Sequence, residues 1–121
     1  MATVLAVDDS PSIRQMIKVV LGPAGHTVLE AGDGAEGLAK AKSEALNLII
    51  TDLNMPVMNG LEMIKHLRTV SSCTGVPILF LSTESDEGIK LQARSAGATG
   101  WMTKPFKPEQ LLAVVTKLVR T

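Results

Sequence analysis

The chain has 121 residues, twelve of them basic and twelve acidic, so its formal net charge is zero; 45% of it is apolar and it holds one cysteine. That length and apolar content suit one domain, residues 1–121, with an ordinary core. The balanced charge offers no footprint for nucleic acid or an anionic membrane surface, and the lone Cys73 excludes an internal disulfide. The opening MATVLAVDDS lacks a basic region and acids interrupt its apolar run. No run approaches the roughly 18 apolar residues of a membrane span. We therefore expect a cytoplasmic protein with neither a signal peptide nor a transmembrane helix.

Thr3 to Val7 reads as a first strand, ending in Asp8 and Asp9. Ser10 and Pro11 mark a helix start, with Ser10 as cap. Ile13, Met16, Ile17, Val20 and Leu21 then give the apolar stripe of helix one, and Gly22-Pro23 stops it. His26 to Ala31 is strand two and Gly32-Asp33-Gly34 a turn. Helix two runs from about Ala35 to Glu44, with Leu38 and several alanines facing inward. Leu48 to Asp52 is a short buried strand ending in an acid, followed by a loop with Asn54, Pro56, Asn59 and Gly60. Leu61, Ile64 and Leu67 form one stripe of helix three, and SSCTG, with Cys73 as a loop thiol, ends it. Pro77 to Leu81 is strand four; Ser82, Thr83 and Glu84 follow. Helix four spans Asp86 to Ala96 and Gly97 ends it. Thr99 to Thr103 is strand five, Lys104-Pro105-Phe106 a turn, and Pro108 opens helix five, whose inner face carries Leu111, Val115, Leu118 and Val119.

Five consecutive β-α units with short connections predict an α/β fold: a doubly wound parallel sheet with five helices on its two faces. Strands one, three and four are apolar enough to be covered on both sides, and strands two and five suit edges. The order 2-1-3-4-5 is compatible with this, although composition alone leaves the middle strands open. Four strands end in a reactive side chain: Asp8 and Asp9, Asp52, Ser82, Lys104. In a parallel sheet these ends share one edge. Clustered carboxylates repel, and a hard cation such as magnesium relieves that repulsion. Asp52 would then attack phosphorus to form an acyl phosphate. Ser82 would hydrogen-bond one phosphoryl oxygen and Lys104 would pair with another.

The runs VDDS (7–10), TDLNMPVMNG (51–60), LSTES (81–85) and TKPF (103–106) resemble, in order and spacing, the motifs of response-regulator receiver domains. The stand-alone, chemotaxis-type CheY-like group is the most similar. The resemblance covers essentially the whole chain. It implies a two-component phosphorelay protein, not an enzyme on outside substrates, that accepts a phosphoryl group on Asp52 from a sensor histidine kinase or His phosphotransfer protein. It further implies that magnesium is bound by Asp9, Asp52 and the backbone carbonyl of Asn54, with Asp8 acting mainly through water. Ser82 and Lys104 would read the phosphoryl group, Asn54 and Glu84 would tune dephosphorylation, and Lys104-Pro105 would be cis. Trp101 stands at the position of a conformational aromatic that is usually tyrosine or phenylalanine.

Plainer readings apply beside these. Asp8 and Asp9 also suit the positive end of helix one. Trp101 is equally an ordinary core residue, and His26 and His66 read as structural or surface groups. Leu91, Ala113 and Val114 lie off the main stripes of helices four and five; a wide buried stripe suits Ala113 best. The other reading is a face for a downstream protein built from helix four, strand five and helix five, with Lys90, Arg94, Trp101, Thr103 and Val114 as candidates. A monomer is expected. Two alternatives keep the acid: a phosphate sink or relay without its own output, and a small acid-nucleophile phosphatase. The latter generally carries a second acid two residues on, where this chain has Asn54.

Overall fold

The computed structural model describes residues 2–55, 57–83 and 86–119. Strands β1 (Thr3–Val7), β2 (Thr27–Ala31), β3 (Leu48–Asp52), β4 (Ile78–Ser82) and β5 (Gly100–Thr103) alternate with helices α1 (Pro11–Leu21), α2 (Gly34–Ser43), α3 (Gly60–Leu67), α4 (Glu87–Ala96) and α5 (Pro108–Leu118). The strands pair in parallel in the order β2-β1-β3-β4-β5. Middle-strand order, open from composition, is thus decided by the pairing.

The two faces of the sheet follow from the period of two along each strand. Val4, Ala6, Leu48, Ile50, Leu79 and Leu81 point toward Ile17 and Leu21 of α1 and Leu111 and Val115 of α5. Leu5, Val7, Ile49, Ile78 and Phe80 point the other way, onto Ala41, Met63, Ile64, Leu67 and Ala93 of α2, α3 and α4. Because β1, β3 and β4 are covered on both sides, they tolerate hardly any polar side chain until their last residues.

The caps explain several boundaries. The Ser10 hydroxyl accepts from Ile13 N–H at 3.4 Å, as the Ser-Pro pair suggested. Asp33, read as a turn residue, accepts from Glu36 N–H at 2.8 Å, so α2 starts at Gly34. Asn59 and Glu62 form a reciprocal capping box at the start of α3. Gly97 closes α4 at a left-handed φ of 117°.

Other side chains lie differently from the sequence reading. Met16, read as part of the α1 stripe, is 38% exposed, because the stripe turns away from the sheet there. Leu38 is half-buried, while Gly37 is buried and lets α2 approach Met63 and Val7 closely. Cys73, read as a loop thiol, lies in a short 3-10 turn and is buried, its thiol donating to Ala41 C=O at 3.7 Å. Ala113 is exposed, so the buried stripe of α5 is narrower than expected. His26 and Pro77 fall just outside β2 and β4.

Gly60 sets the path from β3 into α3. A Cβ there would lie 2.2 Å from Asp52 O and 2.8 Å from Phe80 Cε1. Gly60 N–H also donates to Leu53 C=O at 2.9 Å, closing the loop back on the strand end. Gly60→Ala is expected to destabilise the fold by about 1–3 kcal/mol through this overpacking. Urea unfolding checks it, and an unchanged midpoint would mean that α3 can retreat from β3 at no cost.

Candidate functional site

The parallel register brings the predicted strand ends together. Val7 pairs with Thr51, Asp52 with Leu81 and Ser82 with Thr103, so Asp8, Asp52, Ser82 and Lys104 emerge side by side at one edge of the sheet. Asp8 is buried (2% exposed) and both its oxygens are engaged. Oδ1 accepts from Ser10 N–H at 2.9 Å, which ties it to the start of α1, and Oδ2 accepts from Lys104 Nζ at 2.9 Å. Lys104 Nζ also lies 3.5 Å from Asp52 Oδ2. Asp52 Oδ1 accepts from Leu53 N–H at 2.8 Å. Ser82 is fully buried, and its carbonyl accepts from Lys104 N–H at 2.8 Å, locking the ends of β4 and β5. The Lys104-Pro105 peptide is cis.

Asp9 stands exposed at the mouth of this pocket. Asp8, Asp9 and Asp52 each offer a carboxylate oxygen within 4.8 Å of the other two. An all-oxygen donor set this tight fits a small hard cation, and Lys104 balances only part of its charge. The Asp52 carboxyl is held above the ordinary carboxylate range, first by burial, then by the charge of Asp8, while Lys104 and Leu53 N–H pull it down.

Asn54 is exposed in the loop two residues beyond Asp52, and Thr83 is exposed just after Ser82. Glu84, expected to tune dephosphorylation, lies outside the described residues. Trp101 is half-buried in β5 with its ring 5.4 Å from that of Phe80. It flanks a small cleft with Lys90 and Arg94 of α4 and Thr99 and Gly100. Thr103 is exposed, while Val114 is half-buried against the α1–α5 side of the core. Leu91 turns away from this face, toward α3.

Two features escaped the sequence reading. Arg14 donates to Asp8 C=O and reaches Glu30 Oε1 at 3.0 Å, linking the acidic loop to β2. Its place four residues after the Ser10 cap was the available signal. The second is an apolar groove between α1 and α5, lined by Met16, Val19, Val20, Pro23, Pro108 and Leu112 among others, with Val19 60% exposed. Val19, apolar but off the α1 stripe, was its trace in the sequence.

A doubly wound sheet that gathers acids, a buried serine and a lysine at its C-terminal edge defines a phosphoryl-handling α/β domain. The chain belongs to the response regulator receiver domain family, whose model matches residues 4–116. It is 40% identical to the chemotaxis protein CheY homolog of Campylobacter jejuni over 109 residues, 88% of this chain and 84% of that protein. The chemotaxis response regulator CheY4 of Vibrio cholerae superposes with a TM-score of 0.93 at 49% identity, covering 98% of both chains. The chain spans only 7% of another relative, the hybrid signal transduction histidine kinase D of Dictyostelium discoideum, at 35% identity over 116 residues, 96% of this chain. Receiver domains of two-component systems are signalling phosphoacceptors rather than enzymes acting on outside substrates, and they bind magnesium at an acidic site.

The elevated Asp52 carboxyl has a consequence for stability. A native pKa above the unfolded one makes the folded state the stronger proton binder. Stability is then lost as pH rises from the ordinary value of 3.8 through the native one. At neutral pH without divalent ions, Asp52→Asn is therefore expected to unfold at higher urea than wild type, with the gap closing as pH falls below about 4. A less stable Asp52→Asn at pH 7 would mean that the Lys104 contact outweighs burial.

Proposed function

We propose that Asp52 accepts a phosphoryl group from a histidine kinase or His phosphotransfer protein, and that the change in charge switches the contacts of the protein with a downstream partner. Residues 1–121 act as one receiver unit in this reading. The observation that carries it is the convergence of Asp8, Asp9, Asp52, Ser82 and Lys104 on one edge of the sheet.

Asp52 Oδ1 is held by Leu53 N–H, so the carboxylate is oriented before a donor arrives. Asp52 attacks phosphorus, an O–P bond forms, and the P–N bond of the donor phosphohistidine breaks with its electron pair going to the imidazole. Magnesium, when bound, would neutralise part of the phosphoryl charge. Asp9, Asp52 and the Asn54 carbonyl would hold it directly. Both Asp8 oxygens are already engaged, which supports an indirect role for Asp8. Lys104 would turn from the carboxylates to a phosphoryl oxygen and Ser82 would donate to another. Asn54 and Glu84 would set how fast water removes the group.

The readout is the α4-β5-α5 face. Movement at Ser82 and Lys104 would pass to β4 and β5 through the Lys104 N–H to Ser82 C=O bond, and Trp101 of β5 pairs with Phe80 of β4. Lys90, Arg94, Trp101, Thr103 and Val114 would meet the partner. The apolar α1–α5 groove opens beside the site, between Ser12 and Pro108, and suits a helix of the phosphodonor. The names of the CheY relatives support a place in chemotaxis or motility signalling, and in this reading the protein acts in the cytoplasm as a monomer.

Incubation with magnesium and acetyl phosphate is expected to add one labile phosphoryl group to wild type and none to Asp52→Asn, read by intact-protein mass. An equal gain in the variant would remove Asp52 from the role. Labelling is also expected to change the fluorescence of Trp101, the only tryptophan of the chain. Lys104→Ala should still label but lose most of that change. A full wild-type response in Lys104→Ala would show that Lys104 is not the reader of the phosphoryl group. A labelled protein that binds kinase or phosphotransferase components alone would identify a phosphate sink instead.

A further inference from the structure

The groove between α3 and α4 is separate from both the acidic edge and the α4-β5-α5 face. It encloses about 600 Å³ between Leu61, Lys65 and Arg68 on the α3 side and Leu91, Gln92, Ser95 and Ala96 of α4. Leu61, Lys65 and Arg68 fall at i, i+4 and i+7, so they form one stripe down the helix and its C-terminus. Leu91 is 60% exposed. A single exposed leucine is ordinary on a protein surface. Here it forms one wall of a concavity whose other apolar parts, Leu61 and Ala96, are half-buried and continuous with the core.

Among the described residues that line this groove the charge has one sign: two cations and no carboxylate. Lys65 is exposed and pairs with no carboxylate among the described residues. The Arg68 guanidinium donates to Cys73 C=O at 3.0 Å and Gly97 C=O at 2.6 Å. Those neutral acceptors fix its position without cancelling its charge, and they leave further N–H donors. The nearby acids are committed elsewhere: Glu62 closes the Asn59 capping box, and Glu87 faces Lys90 at 3.8 Å.

We propose that the α3–α4 groove docks a short amphipathic helix of a partner protein, with apolar residues on one face and carboxylates along its edge. The apolar residues would fill the space between Leu61, Leu91 and Ala96, as helix-in-groove recognition requires. The carboxylates would pair with Lys65 and Arg68, and Arg68, already immobilised, loses little side-chain entropy in doing so. Two facing charges of one sign exclude a basic helix by the same contacts. None of the lining residues belongs to the phosphoryl site, so this surface does not depend on the role given to Asp52.

The probe is a short synthetic helix with leucines at i, i+4 and i+7 flanked by glutamates, beside a counterpart in which every glutamate is lysine. Each is titrated into the full chain and followed by amide NMR. The acidic peptide is expected to shift Leu61, Lys65, Leu91, Gln92 and Ser95. Lys65→Glu and Leu91→Glu should each weaken it by about tenfold or more, and the lysine peptide should not bind the groove. Both side chains are exposed, so both variants should keep the wild-type sheet spectrum and label normally with acetyl phosphate, which keeps a docking failure distinct from an acceptor failure. Equal affinity for the two peptides, shifts confined to the α1–α5 groove or the Trp101 cleft, or no shifts at millimolar peptide would each overturn the proposal.

Discussion

Lys104 sits between Asp8 and Asp52, and much of the molecule depends on that contact. Asp8 is buried, and a buried carboxylate is costly unless a partner compensates it. Its two oxygens take the ammonium of Lys104 and the N–H of Ser10, so the pair joins the end of β5 to the loop between β1 and α1. Asp52 shares the same ammonium at the longer distance of 3.5 Å. One cation among three acids leaves a surplus of negative charge at the sheet edge. That surplus is the tension from which the site works. It suits a hard cation, while burial, ahead of the charge of Asp8, raises the proton affinity of Asp52.

The fold keeps this arrangement rigid by burying everything beneath it. β1, β3 and β4 are apolar on both faces and end within a residue of their reactive side chains. Gly60 brings the first turn of α3 against the carbonyl of Asp52, and Asn59 and Glu62 cap that turn. A change in charge at Asp52 is therefore felt by elements with little freedom to absorb it locally. Packing is less complete at β5, the strand at the sheet edge, whose residues are half-buried or exposed. Trp101 of that strand packs at a tilt against Phe80 of β4, with ring centroids 5.4 Å apart, while still half-exposed.

The surface divides into regions of different chemistry. The acidic edge gathers Asp8, Asp9 and Asp52, and the apolar α1–α5 groove is lined by Met16, Val19 and Leu112 among others. The Lys90, Arg94 and Trp101 cleft and the Lys65, Arg68 and Leu91 groove are both cationic, on opposite sides of α4. A chain with zero formal net charge thus hides a strongly uneven distribution. Composition excluded a large basic patch for nucleic acid, and it was silent on these small local ones.

The sequence by itself determined the element order and which reactive side chains meet at the sheet edge. Local signals carry those: Ser10-Pro11 and Gly97 punctuate helices, and the short apolar runs ending in Asp8, Asp52 and Ser82 mark strands whose ends must share an edge once the sheet is parallel. The tertiary structure alone decided the order of the middle strands, the pairing of Lys104 with Asp8 ahead of Asp52, the help of Arg14, and the exposure of Met16, Leu91 and Ala113. Each of these depends on which elements lie beside one another, and no local propensity encodes that. A helix stripe says which residues prefer burial. Only the packed neighbours decide how wide the covered stripe is and which apolar side chains are left facing a groove.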